Sequence, residues 1–448
     1  MKEWAPLEVE YYKKRYQAAS KGNYDIYVVF VEKGLSLLNK QGRLGFILPH
    51  KFFNAQYGQP LREIISQGQH LSQVVHFGDQ QVFKRATNYT CLMFLNQTST
   101  ATIEYQRVND LSVWRNTGET GRGTIPADSV TGSEWSFAIG DEATLLTKLR
   151  SMPMTLSDIA ERIFQGIIPG ADEVYAVDRV GASPERDLYY SRALRTEVPL
   201  EGELLRKLVS GAQVRRYTLA ETPTRVIYPY AIEDGNAQLI STLRMQRDFP
   251  LTLKYLKANK DVLDARDRGS AKGSMWYQYI RRQNIALQPV RKLAVPRLVN
   301  RLHAAYDSEG AFCLDNVDVG GVILRTDDPA AYLYVLGLLN SRLLDFFFIR
   351  HTVPFRGGYF SANRQYIEKL PIRTIDFSNS ADKARHDRMV SLVERMLALH
   401  KQAAEARTDQ EKAVAQRQIE LIDRQIDRLV YELYDLTDDE IAIVEGAR

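Results

Sequence analysis

Within the first hundred residues the apolar side chains alternate between the period of a helix and that of a buried strand, and this limits the fold more than any other feature. Residues 24–38 carry Tyr27, Val28, Val31, Leu35 and Leu38 at spacings of three and four, one face of a helix. Gly42 breaks the pattern, and Leu44-Gly-Phe-Ile-Leu-Pro49 is a short apolar run of buried-strand character. A second helix is expected over residues 58–67, and two further strands over 71–77 and 89–95. Such alternation predicts part of a mostly parallel α/β sheet. The sheet is thin, because three or four strands with few helices make only a partial layer.

The pattern then changes. Residues 96–150 are polar and rich in Gly and Thr, with NTGETGRGT at 116–124, and read as a connector. Beyond about residue 151, short strands and loops predict an irregular α+β body, with helical patterns over 251–263 and 330–347. Two charged-faced helices, 385–399 and 411–433, form a tail. In the second of these Ile419, Ile422, Ile426, Leu429, Val430 and Leu433 make one apolar stripe, which suits a docked helical hairpin and a partner surface equally. The expected division is 1–100, a connector at 101–150, a body at 151–375 and a tail at 376–448.

At 448 residues there is room for about three domains of roughly 150 residues. The 44% hydrophobic and 25% charged content is that of a globular chain, which excludes disordered and collagen-like classes. Cys91 and Cys313 can build neither a disulfide framework nor a four-ligand zinc site, so a reducing, cytoplasmic setting is expected. The N-terminus MKEWAPLEVEYYKKRY has no apolar signal region. The apolar stretches 330–339 and 343–349 fall short of the roughly 20 residues of a membrane span, and no membrane partner is expected. The net charge of +4, from 59 basic and 55 acidic residues, says little about partners. Its distribution says more. Between Lys254 and Arg301 twelve basic residues face only Asp261, Asp264 and Asp267, interleaved with aromatics in KGSMWYQYIRRQN (272–284). This is the pattern of a phosphate-tracking face, or of a solvated surface.

Familiar catalytic signatures are missing. The sequence has no Gly-x-x-x-x-Gly-Lys-Ser/Thr loop, no His-Glu-x-x-His and no Gly-x-Ser-x-Gly elbow. The seven histidines do not cluster at ligand spacing, and no metal is expected.

A longer pattern does carry information. KGNYDIYVVFVEKGLSLLNKQGRLGFILPHKFF (21–53), YGQPLREIISQ (57–67), VVHFGDQQVF (74–83) and KRATNYTCLMFL (84–95) resemble, in order, the back half of a gamma-class, TaqI-like adenine-N6 DNA methyltransferase, a group that includes the fused type IIG restriction–modification enzymes. IAERIFQGIIPGADEVY (159–175), VSGAQVRRY (209–217), VIYPY (226–230) and AFCLDNVDVGGV (311–322) are similar to the same family's DNA-recognition domain. So are YVLGLLNSRLLDFFFIR (334–350), GGYFSANRQYIEKLPI (357–372) and the tail at 421–446. The resemblance implies a partial Rossmann-like methyltransferase sheet, a TaqI-like target-recognition domain and a helical C-terminal tail. It also implies S-adenosylmethionine as cofactor in the intact enzyme and double-stranded DNA as partner. The family's Phe-x-Gly-x-Gly cofactor loop and its Asn/Asp-Pro-Pro-Tyr/Phe catalytic loop occur nowhere in these 448 residues. By itself the chain is therefore expected to be catalytically incomplete: a fragment, a subunit completed in trans by an N-terminal methyltransferase half, or a remnant of a split gene. A non-catalytic specificity subunit that recruits a separate methyltransferase chain is the alternative.

Chemistry on a base inside a duplex requires taking that base out of the stack. By resemblance Phe83 matches the aromatic that stacks on the flipped adenine, against a plain core role. Phe30 matches a cofactor-contacting position, again against a core role. Asn23 and Asp25 sit where a helix cap is expected, and Pro49 and His50 border the base pocket or simply form a turn. In the recognition part, Arg215, Arg216, Tyr228, Tyr230, Arg297, Arg301 and Arg356 are the expected DNA contacts, arginine beside glycine being suited to close approach to phosphate or a guanine edge.

Overall fold

The computed structural model describes residues 6–78, 80–83, 88–135, 137–183, 186–269, 272–355 and 357–446. The chain divides into two units, one of Met1–Ser151, Phe346–Ser361 and Thr437–Arg448, the other of Met152–Asp345 and Ala362–Leu436.

In the first unit α1 (Pro6–Arg15), α2 (Tyr27–Ser36), β1 (Arg43–Pro49), α3 (Gln59–Gln67), β2 (Leu71–His76) and β3 (Thr90–Asn96) follow one another. They are followed by β4 (Thr102–Arg107), α4 (Leu111–Thr117), β5 (Gly121–Pro126) and α5 (Asp141–Arg150). The helical stripe is real: Val28, Val31 and Leu35 are buried on α2. Asp25 does not cap that helix; its carboxylate accepts the N–H of Ile26, the residue just before it. The stretch 101–150, expected to be a connector, supplies two strands and two helices.

The five strands lie in the order β1-β3-β2-β4-β5. Both β1 and β2 are antiparallel to β3, β2 is parallel to β4, and β4 is antiparallel to β5. The sheet is thus mixed rather than mostly parallel. Parallel neighbours need a crossover, which α3 provides between β1 and β2, and these two strands do share a direction. Residues 77–89 carry no helix among the described residues, so β3 returns antiparallel between them. Alternating side chains cover both faces. Val74 joins the cluster of Val28, Leu61 and Ile65, and Val75 joins Phe77 and Val108 beneath Trp114 of α4.

One buried cation organises the turn after β1. Arg62 of α3 is 3% exposed, and its guanidinium donates to the carbonyls of Phe52 (2.5 Å), Ala55 (2.9 Å) and Gly132 (3.2 Å). Gly58 fits the same crowded turn because a Cβ there would stand 2.2 Å from the Phe52 carbonyl oxygen. The last helix of the chain, Asp438–Glu445, also belongs to this unit. It packs on α5, where Lys148 pairs with Glu440 at 2.8 Å.

The second unit holds β6 (Ala160–Gln165), β7 (Ala176–Ser183), β8 (Arg186–Ser191), β9 (Thr196–Pro199), β10 (Leu205–Val209) and β11 (Thr224–Ile227). A short hairpin of β12 (Tyr230–Glu233) and β13 (Asn236–Leu239) precedes β14 (Lys292–Pro296), β15 (Ala305–Asp307), β16 (Phe312–Leu314) and β17 (Val319–Leu324). A six-stranded sheet runs β16-β10-β11-β7-β8-β9 and a four-stranded one β15-β14-β17-β6. The helical pattern expected at 330–347 breaks at Asn340. Its fully buried side chain bonds to Ala304 in both directions, accepting its N–H (3.2 Å) and donating to its carbonyl (3.0 Å). Helix α6 (Pro329–Leu339) ends there. The tail forms α7 (Ser380–Glu405) and α8 (Asp409–Leu433), and the predicted α8 stripe is buried. The hairpin is docked: a Cβ at Gly337 of α6 would meet Met389 Sδ at 2.6 Å and Val393 at 3.1 Å.

Lys292 and Asp307 oppose each other on β14 and β15, 2.6 Å apart and essentially inaccessible. Asp307 also accepts the N–H groups of Ala311 and Phe312, and Lys292 donates to the Gln288 carbonyl. Removing one member of a satisfied buried pair strands the other. Asp307→Ala should therefore lower unfolding free energy by about 3–5 kcal/mol in urea denaturation, and the double change Lys292→Met with Asp307→Leu should cost less than that.

Candidate functional site

The carboxyl ends of β1, β2 and β4 converge in the first unit, where ligands bind in open α/β sheets. They deliver His50, His76 and Arg107 to one cavity of about 200 Å³. The His50 and His76 rings stand edge-on at 4.5 Å between centroids. His50 Nε2 donates to the Gly78 carbonyl at 3.1 Å, and Gly78 reaches that place with φ +59°. His76 Nδ1 faces the Tyr105 hydroxyl at 3.3 Å, while its buried Nε2 has no partner among the described residues. Burial holds both imidazoles below their ordinary pKa, and for His76 the neighbouring His50 and Arg107 add to the effect, so both rings are neutral near pH 7.

Aromatic rings complete the wall. Tyr105 stacks on Phe137 at 5.3 Å, and Phe53 meets Trp135 at 5.5 Å and Phe137 at 5.2 Å. Phe53 and His50 lie on the turn that Arg62 fixes. On the charged side Glu142 accepts from Arg350 Nε at 2.5 Å, and Arg107 stands 3.9 Å from the same carboxylate oxygen. Arg350 also lies over the Phe346 ring at 3.7 Å. His50, expected either to border a pocket or to form a turn, lines the cavity from the turn after β1; His76, Tyr105, Trp135, Phe137, Glu142 and Arg350 were not singled out by the sequence. Tyr105, Trp135, Phe137 and Glu142 fall in the stretch read as a connector, and Arg350 ends what looked like a plain apolar helix.

Phe83 and Phe30 stand 49% and 60% exposed, so neither is a core residue. Phe83 lies in the connection from β2 to β3, at the same end of the sheet as His50, whose N–H donates to the Tyr89 carbonyl.

In the second unit most of the expected DNA contacts are engaged internally. Tyr228 and Tyr230 are buried; the Tyr228 hydroxyl donates to the Ile285 carbonyl and that of Tyr230 accepts the Tyr279 N–H. They are core residues, as are the aromatics of the basic segment, Trp276, Tyr277 and Tyr279. Arg216 grips Asp423 with both terminal nitrogens, at 2.8 and 2.5 Å, and donates to the Asn340 carbonyl. Arg301 donates to that same carbonyl at 3.2 Å, and Arg297 to Asn363 and to the Asn316 carbonyl, both at 2.8 Å. Partners far away in sequence decide these roles. Arg215 is exposed, as are Arg268, Lys272, Arg281 and Arg282 of the basic segment, whereas Lys292 and Arg266 are buried. Arg356 lies outside the described residues.

Two family descriptions match the chain in series. The Eco57I restriction-modification methylase family matches residues 1–83, and the TaqI-like C-terminal specificity domain matches residues 207–372. In series, these matches support a TaqI-like restriction–modification methyltransferase. Among curated relatives, the type II restriction enzyme and methyltransferase RM.Eco57I of Escherichia coli is 28% identical over 465 residues, covering 99% of this chain and 46% of that protein. The type II methyltransferase M.PaeR7I of Pseudomonas aeruginosa is 23% identical over 384 residues, covering 82% of this chain and 61% of that protein. The chain thus spans about half to three fifths of these relatives. The Type IIL restriction–modification enzyme MmeI, solved in complex with DNA, shares the fold, with a TM-score of 0.62 at 13% identity over 99% of this chain and 54% of that one.

The methylase match ends on Phe83, and the specificity match opens in β10 and closes beyond the hairpin Pro354–Phe355/Tyr359–Ser361. Phe30, the one residue expected on the cofactor side, stands exposed on α2. One exposed ring does not make a nucleoside site, so these residues by themselves do not fit S-adenosylmethionine, and no step is drawn through it.

The Arg216–Asp423 cluster has a measurable signature. Its neighbour Asp427 accepts the Arg342 N–H at 2.8 Å, and burial, reinforced by Asp423, raises its pKa from 3.8 to about 6. A carboxyl that is harder to ionise in the fold stabilises the protein fully below pH 3.8, and that contribution fades as pH rises through about 6. In Asp427→Asn, the part of the stability decline between these limits that Asp427 causes should vanish, as read from urea midpoints across pH.

Proposed function

We propose that this chain is the DNA-binding and target-recognition portion of a site-specific adenine-N6 DNA methyltransferase of a restriction–modification system. The serial order of a methylase match and a specificity-domain match supports this reading. So does the likeness over 99% of the chain to a restriction enzyme and methyltransferase. In the intact enzyme S-adenosylmethionine supplies the methyl group for the exocyclic amine of a flipped adenine. The chain's own contributions are recognition of the duplex and a wall for the extruded base. Phe83, exposed at the carboxyl end of the sheet, is the proposed stacking ring, and Phe30 the proposed cofactor-side ring. Arg215 and the exposed cations Lys272, Arg281 and Arg282 are the proposed phosphate contacts.

Duplex binding should weaken steeply with salt, and Arg215→Ala should reduce the slope of log K against log salt by about one. A chain that binds no duplex at low salt would overturn the reading. Once the catalytic half is supplied, Phe83→Ala should lower methylation, reflecting about 1–3 kcal/mol of lost base stacking, while sparing affinity for a duplex abasic at the target. Equal loss of folding stability and of DNA binding would instead assign Phe83 to the fold.

One observation favours a second arrangement, a specificity chain that recruits its catalytic partner. Among the described residues β1 is the outer strand of its sheet, with Ile47 exposed on it and Phe30 and Leu37 exposed at the neighbouring helix. An unpaired edge beside apolar side chains is a template for another strand. Methyl transfer that appears only on mixing with a separate polypeptide would select this arrangement.

A further inference from the structure

A strained turn in the second unit carries one exposed cation. Val214 bridges Leu219 in antiparallel fashion, and the N–H of Arg215 donates to the Thr218 carbonyl at 3.0 Å. Residues 214–219 therefore form a hairpin turn with Arg216 and Tyr217 at its tip. Tyr217 sits there at φ +71°, a left-handed conformation that a bulky side chain rarely adopts. Strain of this kind persists only where the surroundings over-determine it.

Here they do so from three sides. The Tyr217 N–H donates to the Ala304 carbonyl (2.8 Å), and its own carbonyl accepts the N–H of Tyr306 (3.1 Å). Its buried ring faces His400 of α7 at 6.0 Å between centroids, and its hydroxyl donates to Asp423 of α8 at 3.5 Å. The same carboxylate accepts from both terminal nitrogens of Arg216, whose guanidinium lies 5.5 Å from the Tyr217 ring centre. One side chain of the tail thus grips both tip residues.

Arg215 is the exception. It is exposed, and among the described residues it has no ion-pair partner. With the next two residues fixed on the inside, the backbone from which Arg215 projects is fixed as well. A cation presented in this way meets a phosphate with less ordering left to lose. Closing the turn does not by itself call for the arrangement, since a glycine at 217 would adopt the same φ without strain, and a buried ion pair loses much of its attraction to desolvation.

We propose that Asp423 is a positioning residue for DNA binding: through Arg216 and Tyr217 it fixes the turn that presents Arg215 to a backbone phosphate. The inference rests on the proposed function, from which Arg215 takes its role as a phosphate contact. It gives the tail hairpin a part in recognition beyond its own packing.

The test is binding of the full chain to duplex DNA, followed by fluorescence anisotropy across a salt series, with a thermal melt of each protein. Arg215→Ala, Asp423→Asn and the double variant are compared with the unaltered chain. Asp423→Asn removes a negative charge, so electrostatics alone would tighten binding to DNA. Loss of positioning predicts the reverse: weaker binding, a salt slope lowered by about one as in Arg215→Ala, and no further fall in the double variant. Arg216→Lys keeps the charge but loses the two-nitrogen grip, and should lower the slope in the same way should Asp423→Asn fail to fold. Asp382→Asn, which breaks the pair with Arg373 at the start of the same hairpin, should leave the slope unchanged. An unaltered slope in folded Asp423→Asn, or a double variant whose slope falls by the sum of the single changes, overturns the proposal and leaves Arg215 as a contact. So does an equal fall in Asp382→Asn, which would make the effect one of hairpin docking in general. Duplex binding that Arg215→Ala does not change removes the Arg215 contact and its positioning residue together. Failure of the unaltered chain to bind duplex at low salt removes the DNA-recognition reading itself, and the inference with it.

Discussion

The candidate site depends on a guanidinium whose hydrogen bonds, among the described residues, all run to backbone carbonyls. Arg62 sits in the interior of the first unit and is satisfied by three backbone carbonyls, two from the turn after β1 and one from residue 132. Burying a charge is costly unless every donor is met. The turn therefore has little freedom to relax, because any drift of Phe52 or Ala55 would leave a cation unsolvated. His50 and Phe53 inherit that rigidity.

The second unit relies on the same kind of bond for a different end. Lys292 pairs with Asp307 across neighbouring strands, and Arg216 with Asp423 ties segments separated by 207 residues. The desolvation cost of such pairs offsets much of their attraction, so their net contribution to stability is small, whereas loss of one partner is costly. A specificity domain built of short strands, where hydrophobic pattern alone sets register weakly, has use for such fixed points.

Elements whose identity follows from local periodicity were legible in the sequence. The α2 stripe, the apolar run of β1 and the α8 stripe all appear where the pattern puts them. Strand direction was not legible, because whether β3 returns antiparallel depends on what fills residues 77–89 and not on the apolar pattern of β3 itself. The candidate site was half legible. His50 and Phe83 lie next to recognisable strands, whereas Trp135 and Phe137 sit in a polar, glycine-rich neighbourhood that hides their burial. Cationic side chains were the least legible. Arg215 and Arg216 are adjacent in sequence, yet one is solvent-facing and the other is clamped by Asp423. Only the fold separates them.

The return of helix Asp438–Glu445 to α5 limits how segments of such a chain can be exchanged. The polypeptide passes between the two units at four places, after residues 151, 345, 361 and 436. In chain order the second unit is therefore inserted into the first at two places and is not a segment appended to one end. Exchanging the second unit whole requires splices at several internal joints, whereas recombination at a single joint after residue 151 would also carry away the Lys148–Glu440 clasp and the arginine that holds Glu142. Substitution within the second unit, residue by residue, leaves both of these contacts in place.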